Sequence, residues 1–443
     1  MDRVLGVETE YGLSARADGR RLSAPEAAEL LFRPFVAEHR ASGAFLGNGG
    51  RLYLDVGAHP EYATPECRTP HDLLVAERAG DALVADLARR AVDASRAEGR
   101  EVSFRLFRNN ADSFGNSWGC HENYLVSRDL ELSGAVDLLT TFLVTRQVLC
   151  GSGRLHRGEF RISQRADHLH DQLSALTTRA RPLVNTRDEP LADAARFRRL
   201  HVLAGDSNLV EGSALLKVGT MLAVLAILDR PDGPAPELAS LRLADPAGAL
   251  RAVARDPLAV LDLADGRRAS AIDLQYAHLD LAGASAAPGV AQLWARVLDA
   301  LASPDPDAVA DTVEWVAKLR LLREYRSRHG LAADDPRLRQ LDLAFHELGG
   351  LIGALEAGGA VRRLTAPEQV GRAVTTPPHD TRAAARGRFI DAVGTRRHSV
   401  DWQTCTVHDL PDDGSSLGDR TVLLDDPRVP TSAALDDLLA GLG

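Results

Sequence analysis

The chain has 443 residues, 45% hydrophobic and 26% charged, so it can bury a sizeable core and is not mainly disordered. A formal net charge of −10 argues against nucleic acid as its partner, because phosphate backbones require concentrated positive charge. At roughly 150 residues per domain, the length fits two or three domains or one large domain with an appendage. No apolar run approaches the roughly 18 residues of a membrane span, and the longest, Met221–Leu228, reads as a buried helix. The opening Met1-Asp2-Arg3-Val4 lacks the apolar region of a signal peptide, and the four cysteines (Cys67, Cys120, Cys150, Cys405) form no C-x-x-C pair. The expectation is a cytoplasmic chain with no membrane partner, no disulfide scaffold and no zinc site.

The first 130 residues alternate strand and helix signals. Val4–Glu8 reads as a strand, and Ser23-Ala24-Pro25-Glu26 as a capping box opening a helix with Leu30, Leu31 and Phe35 on one face. Arg51–Asp55 alternates as a strand, Thr69-Pro70 opens a helix to about Ala91, and strands at Phe104–Phe107 and Glu122–Ser127 flank a polar turn, Asn109–Gly119. Alanine, leucine, aspartate and proline dominate from about Pro231 to Pro306, predicting short helices, and helical patterns recur at Leu319–Leu322 and Leu341–Leu355. Pro377-Pro378 is the expected hinge. Beyond it come a helix (Ala383–Ala392), a strand around Val400–Val407, a Gly/Ser/Asp loop and a strand around Thr421–Leu424. The architecture implied is α+β, with a large domain over residues 1–377 and a small C-terminal one over 378–443.

Strand alternation puts Arg51, Tyr53 and Asp55 on one face and Leu52 and Leu54 on the other. Glu8 and Glu10 share a face in the same way, and two carboxylates that close repel unless solvent or a cation separates them. Magnesium, a hard cation that takes carboxylate oxygens, would relieve the repulsion. Glu8, Tyr53 and Glu61 become a magnesium cluster only if their strands pair; otherwise both segments are solvated edge strands. His121-Glu122-Asn123 supports either a metal site or a hydrogen-bonded structural histidine. Arg187 sits among Arg179, Arg181, Arg196, Arg198 and Arg199, which suits either anion binding or surface salt bridges. There is no P-loop, dinucleotide-binding glycine fingerprint or nucleophilic-serine elbow.

Long ordered segments of this chain resemble the Pup ligase/depupylase family, and within it the Pup–protein ligases. They are residues 6–12 (Gly6-Val7-Glu8-Thr9-Glu10-Tyr11-Gly12), 48–62, 119–125, 143–147, 163–165, 185–190, 198–201, 205–208 and 216–220, with weaker likeness at 340–344 and 400–402. The resemblance implies a fold similar to the glutamine synthetase-like carboxylate–amine ligases. It implies ATP and magnesium as cofactors, and Pup, a small ubiquitin-like protein, and lysine-bearing target proteins as partners. The implied reaction joins the C-terminal glutamate of Pup to target lysines through an acyl phosphate, tagging them for proteasomal degradation. By position, the resemblance implies magnesium ligands at Glu8, Tyr53 and Glu61, ATP contacts at Arg51, Thr64 and Trp402, and a catalytic base at Asp55. The alternatives are a depupylase, a small-molecule glutamate ligase and an inactive binding protein. Family depupylases carry a long extra loop between the first glutamate strand and the aspartate strand, and the interval Glu10–Arg51 has no room for one. Of 52 basic residues only Lys217 and Lys318 are lysine, which fits either codon bias or a lysine-modifying enzyme that avoids carrying its own substrate group.

Overall fold

The computed structural model describes residues 3–55, 57–169, 171–174, 182–230, 236–408 and 419–442. Eight strands form the main sheet. In spatial order they are Asp171–Ser174, Pro182–Asn185, Phe197–Val202, Cys120–Ser127, Leu5–Glu10, Pro60–Ala63, Arg51–Leu54 and Gly43–Phe45. Every neighbouring pair is antiparallel except the first, which is parallel. The mixed α+β reading therefore holds.

One face of the sheet is apolar and covered by helices. Leu5, Val7, Tyr124, Val126, Leu200 and Val202 enter a single core with Leu139 and Phe142 of the Leu132–Thr145 helix and Met221 and Val224 of the Glu211–Leu228 helix. Beside it, Leu52 and Tyr62 pack against Phe32, Phe35, Val84 and Leu87 from the helices Ala24–His39 and Pro70–Ala97. The Glu211–Leu228 helix has the length and hydropathy of a membrane span, yet 83% of it is buried inside the fold, where its apolar sides meet other protein. Helix starts follow the sequence signals: the Ser23 N–H donates to Glu26 Oε2 at 2.8 Å, and Thr69 Oγ1 accepts from the Asp72 N–H at 3.1 Å.

Several boundaries differ from expectation. The first strand runs Leu5–Glu10, so Glu10 is inside it, and the aspartate strand stops at Leu54, which leaves Asp55 in the following turn. The long helix continues to Ala97, because Ala91 and Ser95 still bury against the fold. The Leu341–Leu355 pattern is broken into Pro336–Phe345 and Leu351–Ala357 across Gly349-Gly350, and Val400–Val407 divides into His398–Val400 and Thr404–Val407 around a turn carrying Trp402. The expected Gly/Ser/Asp loop lies largely outside the described residues.

Residues 382–442 build their own apolar cluster, with Ala385, Phe389, Cys405, Val407, Val422 and Leu435 at its centre. The Arg382–Val393 helix docks on the main sheet through buried charge. Glu66 takes Arg382 Nε at 2.7 Å and the Arg386 guanidinium on its other oxygen, and Arg386 also donates to the Gly49 carbonyl at 2.8 Å. Gly49 has φ +78°, and a Cβ there would stand 2.8 Å from that of Ala383, so only glycine allows this approach.

Candidate active site

The opposite, polar face of the sheet collects the residues singled out in the sequence. Pairing sets Tyr53 opposite Glu61 and Glu61 opposite Glu10, while two residues along the strands Arg51 lies opposite Ala63, Ala63 opposite Glu8 and Glu8 opposite His121. Asn123 lies opposite His201 on the next strand. Alternation therefore presents Arg51, Tyr53, Glu61, Glu8, Glu10, His121, Asn123, Arg199 and His201 on one surface. The Glu8 strand and the Tyr53 strand, which the magnesium reading needed to pair, do not pair directly; each pairs with the Glu61 strand between them, so Glu8, Glu61 and Tyr53 still share one face.

Two clusters stand on this surface. Donor atoms of Glu10, Asp55 and Glu61 all lie within 4.8 Å of one another, as do those of Glu8, His121 and His201. Burial, then the charges of Glu8 and Glu10, pushes the Glu61 carboxyl well above the usual range. Glu8 behaves oppositely: burial would raise it, but its hydrogen bond to His121 and the His201 imidazole 3.7 Å away hold it well below. Burial also raises Glu10, against which His121 and the Gly119 N–H, donating at 2.8 Å, act in part. The Tyr53 phenol is pushed up by burial and by Glu61 and Glu8. Glu10, Asp55 and Glu61 form an oxygen-only donor set whose repulsion a hard cation would remove, so the residues fit magnesium. Glu8 and Tyr53 flank that set; the Glu8 cluster itself mixes carboxylate with imidazole.

Asp55 follows its strand in a tight turn. Its N–H donates to the His59 carbonyl at 2.9 Å and its own carbonyl accepts from Ala58 at 3.2 Å, while the His59 ring stacks on Trp118 at 4.7 Å. The turn aims Asp55 at Glu61 and Glu10 while leaving it partly open to solvent. Arg51 lies over the Tyr53 ring, 4.6 Å from its centroid. At the other end of the polar face is an open pocket of about 530 Å³, lined among others by Glu8, Thr64, Asn123, Arg199, Arg382 and Trp402. Thr64 Oγ1 is held by the Val7 N–H at 3.1 Å, and the Trp402 ring meets Phe45 edge-on at 4.9 Å, so the C-terminal segment supplies one wall. Glu8, Thr64 and Trp402 share the pocket; Arg51, Tyr53, Asp55 and Glu61 are not part of its lining.

Other sequence candidates separate cleanly. Glu122 and His121 are adjacent but face opposite ways: Glu122 is in the core, bonded by Arg146 at 2.9 Å and Tyr124 at 2.6 Å, and only His121 reaches the polar face. Arg187 pairs with Glu189 on an exposed edge, and Arg196 pairs with Asp426. Arg199 is the arginine of that group at the pocket, donating to Asn123 at 2.9 Å. Arg179 and Arg181 lie outside the described residues. Arg199 and His201 could have been singled out by their i, i+2 spacing, the same signal that exposed Glu8 and Glu10.

A family model described as Pup-ligase protein matches residues 3–406. The chain belongs to the Pup-ligase family. It is 42% identical to the Pup–protein ligase of Xylanimonas cellulosilytica over 99% of both chains, and 40% identical to that of Arthrobacter sp. (strain FB24) over 100% of this chain and 99% of the relative. Its fold is similar to that of the ligase PafA solved in complex with Pup, with a TM-score of 0.91 and 37% identity, covering 100% of this chain and 91% of that one. PafA in complex with ADP matches with a TM-score of 0.84 and 37% identity over 95% and 94% of the two chains. In this Pup-ligase family member the interval from Glu10 to Arg51 holds two short strands, the capped helix and the edge strand Gly43–Phe45, with no long insertion.

Proposed function

We propose that this protein is an ATP-dependent Pup–protein ligase, joining the C-terminal glutamate side chain of Pup to lysine ε-amines of target proteins and so tagging them for degradation. The observation that carries this reading is the continuity of the polar sheet face, from an open pocket at Thr64 and Trp402, through Glu8, to a carboxylate group in which Asp55 joins the buried Glu10 and Glu61. Thr64, Trp402 and Arg51 serve the nucleotide, and Glu8, Tyr53 and Glu61 hold magnesium with help from Glu10. When bound, magnesium supplies charge neutralisation at phosphate oxygens, the main requirement of phosphoryl transfer. The glutamate carboxylate of Pup attacks the γ-phosphorus of ATP, ADP leaves, and an acyl phosphate remains. The lysine nitrogen then attacks the acyl carbon, the carbon–oxygen bond to phosphate breaks, and phosphate departs. A lysine amine has a solution pKa near 10.4, so it needs a base, and Asp55 takes that proton. Residues 1–377 act as the catalytic domain, and 378–443 as a small domain that closes the nucleotide pocket.

The test gives the purified protein magnesium, ATP, Pup ending in glutamate and a lysine-bearing acceptor, against Pup ending in glutamine or a ready-made conjugate. ATP-dependent conjugation is expected to be the faster reaction. Deamidation or cleavage outpacing it would make the protein a depupylase.

A further inference from the structure

Both lysines of this chain are completely buried, at 0% exposure. That reverses the ordinary behaviour of lysine, which is almost never fully buried unless paired. Lys217 sits mid-helix in Glu211–Leu228, its Nζ donating to the Asp206 carbonyl at 2.9 Å with Cys120 Sγ at 3.5 Å. Lys318 lies in the Glu314–His329 helix, where Nζ faces the Gly153 carbonyl at 2.7 Å, Asp342 at 2.9 Å and the His346 ring. Each ammonium is spent on internal partners under packed helices, and neither can approach an acyl carbon while the fold is intact.

The remaining fifty basic residues are arginine. Several are widely exposed, with side chains at 75% for Arg96, 67% for Arg268 and 63% for Arg20. A guanidinium stays protonated at all physiological pH values and has no lone pair for attack on an acyl phosphate. The surface therefore carries positive charge without ε-amine nucleophiles. Codon bias accounts for a low lysine count but is silent on why both survivors are inside.

We infer that the folded chain is exempt from the reaction it catalyses, because it presents no ε-amine acceptor on its surface. The inference rests on the ligase reading above and adds to it what the enzyme does not modify. Its chemistry is the same acyl transfer: the lysine N–C bond that would form, with loss of phosphate and of the amine proton, has no available nitrogen.

The experiment incubates the native chain with magnesium, ATP, Pup and an unrelated lysine-bearing acceptor, and maps Pup adducts by peptide mass spectrometry. A triple variant, Arg20→Lys with Arg96→Lys and Arg268→Lys, keeps surface charge while supplying exposed amines on elements outside the main sheet. The acceptor is expected to be tagged in both reactions, with no adduct on Lys217 or Lys318 and at least about tenfold more self-modification in the variant. The heat-denatured, alkylated parent chain, offered to fresh native enzyme, should acquire adducts at Lys217 and Lys318. An adduct on either lysine of the native chain overturns the inference, and so does a variant that stays untagged while the acceptor is tagged. An untagged acceptor refutes the ligase reading itself, and the inference falls with it.

Discussion

Asp55 and Glu61 stand in one cluster yet carry different tasks, and substitutions separate them. Asp55→Asn keeps size and hydrogen bonding but removes the proton acceptor, so conjugation should fall below about a tenth of wild type, a loss exceeding about 1.4 kcal/mol, while nucleotide affinity holds. Single-turnover conjugation beside equilibrium nucleotide binding checks it, and a variant above that rate would exclude Asp55 as the essential base. Glu8→Ala and Glu61→Ala should instead raise the magnesium concentration needed for nucleotide binding. Unchanged magnesium titrations in both variants would remove them from the metal site. The row Arg51, Tyr53, Asp55 was legible in the sequence because alternation is a local property. That Glu61 faces Glu10 was not, since it depends on which strands pair across fifty residues of intervening chain.

Among elements, the Arg382–Val393 helix decides whether the pocket has its second wall. Its attachment is the buried Glu66 with Arg382 and Arg386; burial would raise the Glu66 carboxyl, but the two guanidiniums hold it below its ordinary range. Glu66→Ala leaves two buried arginines without their carboxylate, a change that in buried pairs costs about 3–5 kcal/mol. A lower melting temperature and weaker nucleotide binding are expected, and unchanged values in both assays would show that the helix docks by other means. Because the folded pKa lies below the unfolded one, this contribution is complete above the unfolded value of about 4.3 and is lost as pH falls through the folded value. Trp402→Ala should weaken nucleotide binding by about 1–3 kcal/mol without unfolding the protein, readable by calorimetry beside a melting curve. The helix itself was visible as Ala383–Ala392, and Pro377-Pro378 marked its approach. Its docking partners were not visible, because Glu66 and Gly49 lie more than 300 residues away in sequence.

For the molecule as a whole, one buried electrostatic cost lies at the start of the Glu314–His329 helix. Glu314 accepts the Val210 N–H at 2.8 Å, but burial pushes its carboxyl up to about 7. An acid whose folded pKa is raised binds more protons folded than unfolded, so stability is highest below about 4.3 and declines as pH rises toward 7. Glu314→Gln keeps an acceptor oxygen and removes the charge. The variant should melt higher than wild type at pH 8, by the equivalent of about 3–4 kcal/mol, with little difference near pH 4. Equal melting temperatures at pH 8 would show that Glu314 is already neutralised by its surroundings. The α+β class followed from the order of strand and helix signals, whereas the parallel edge pair, the split of Val400–Val407 and the carboxylate grouping required the folded chain.

The two faces of the main sheet differ by one residue along each strand. Val7 is core and Glu8 is chemistry; Tyr62 is core and Glu61 is chemistry; Leu52 is core, with Arg51 and Tyr53 on the other side. Inserting or deleting one residue within these strands exchanges every inside position for an outside one. Codon-length changes there should thus be lethal to folding and activity at once, while loop lengths vary freely, so the gaps that separate relatives should fall between these strands and never within them.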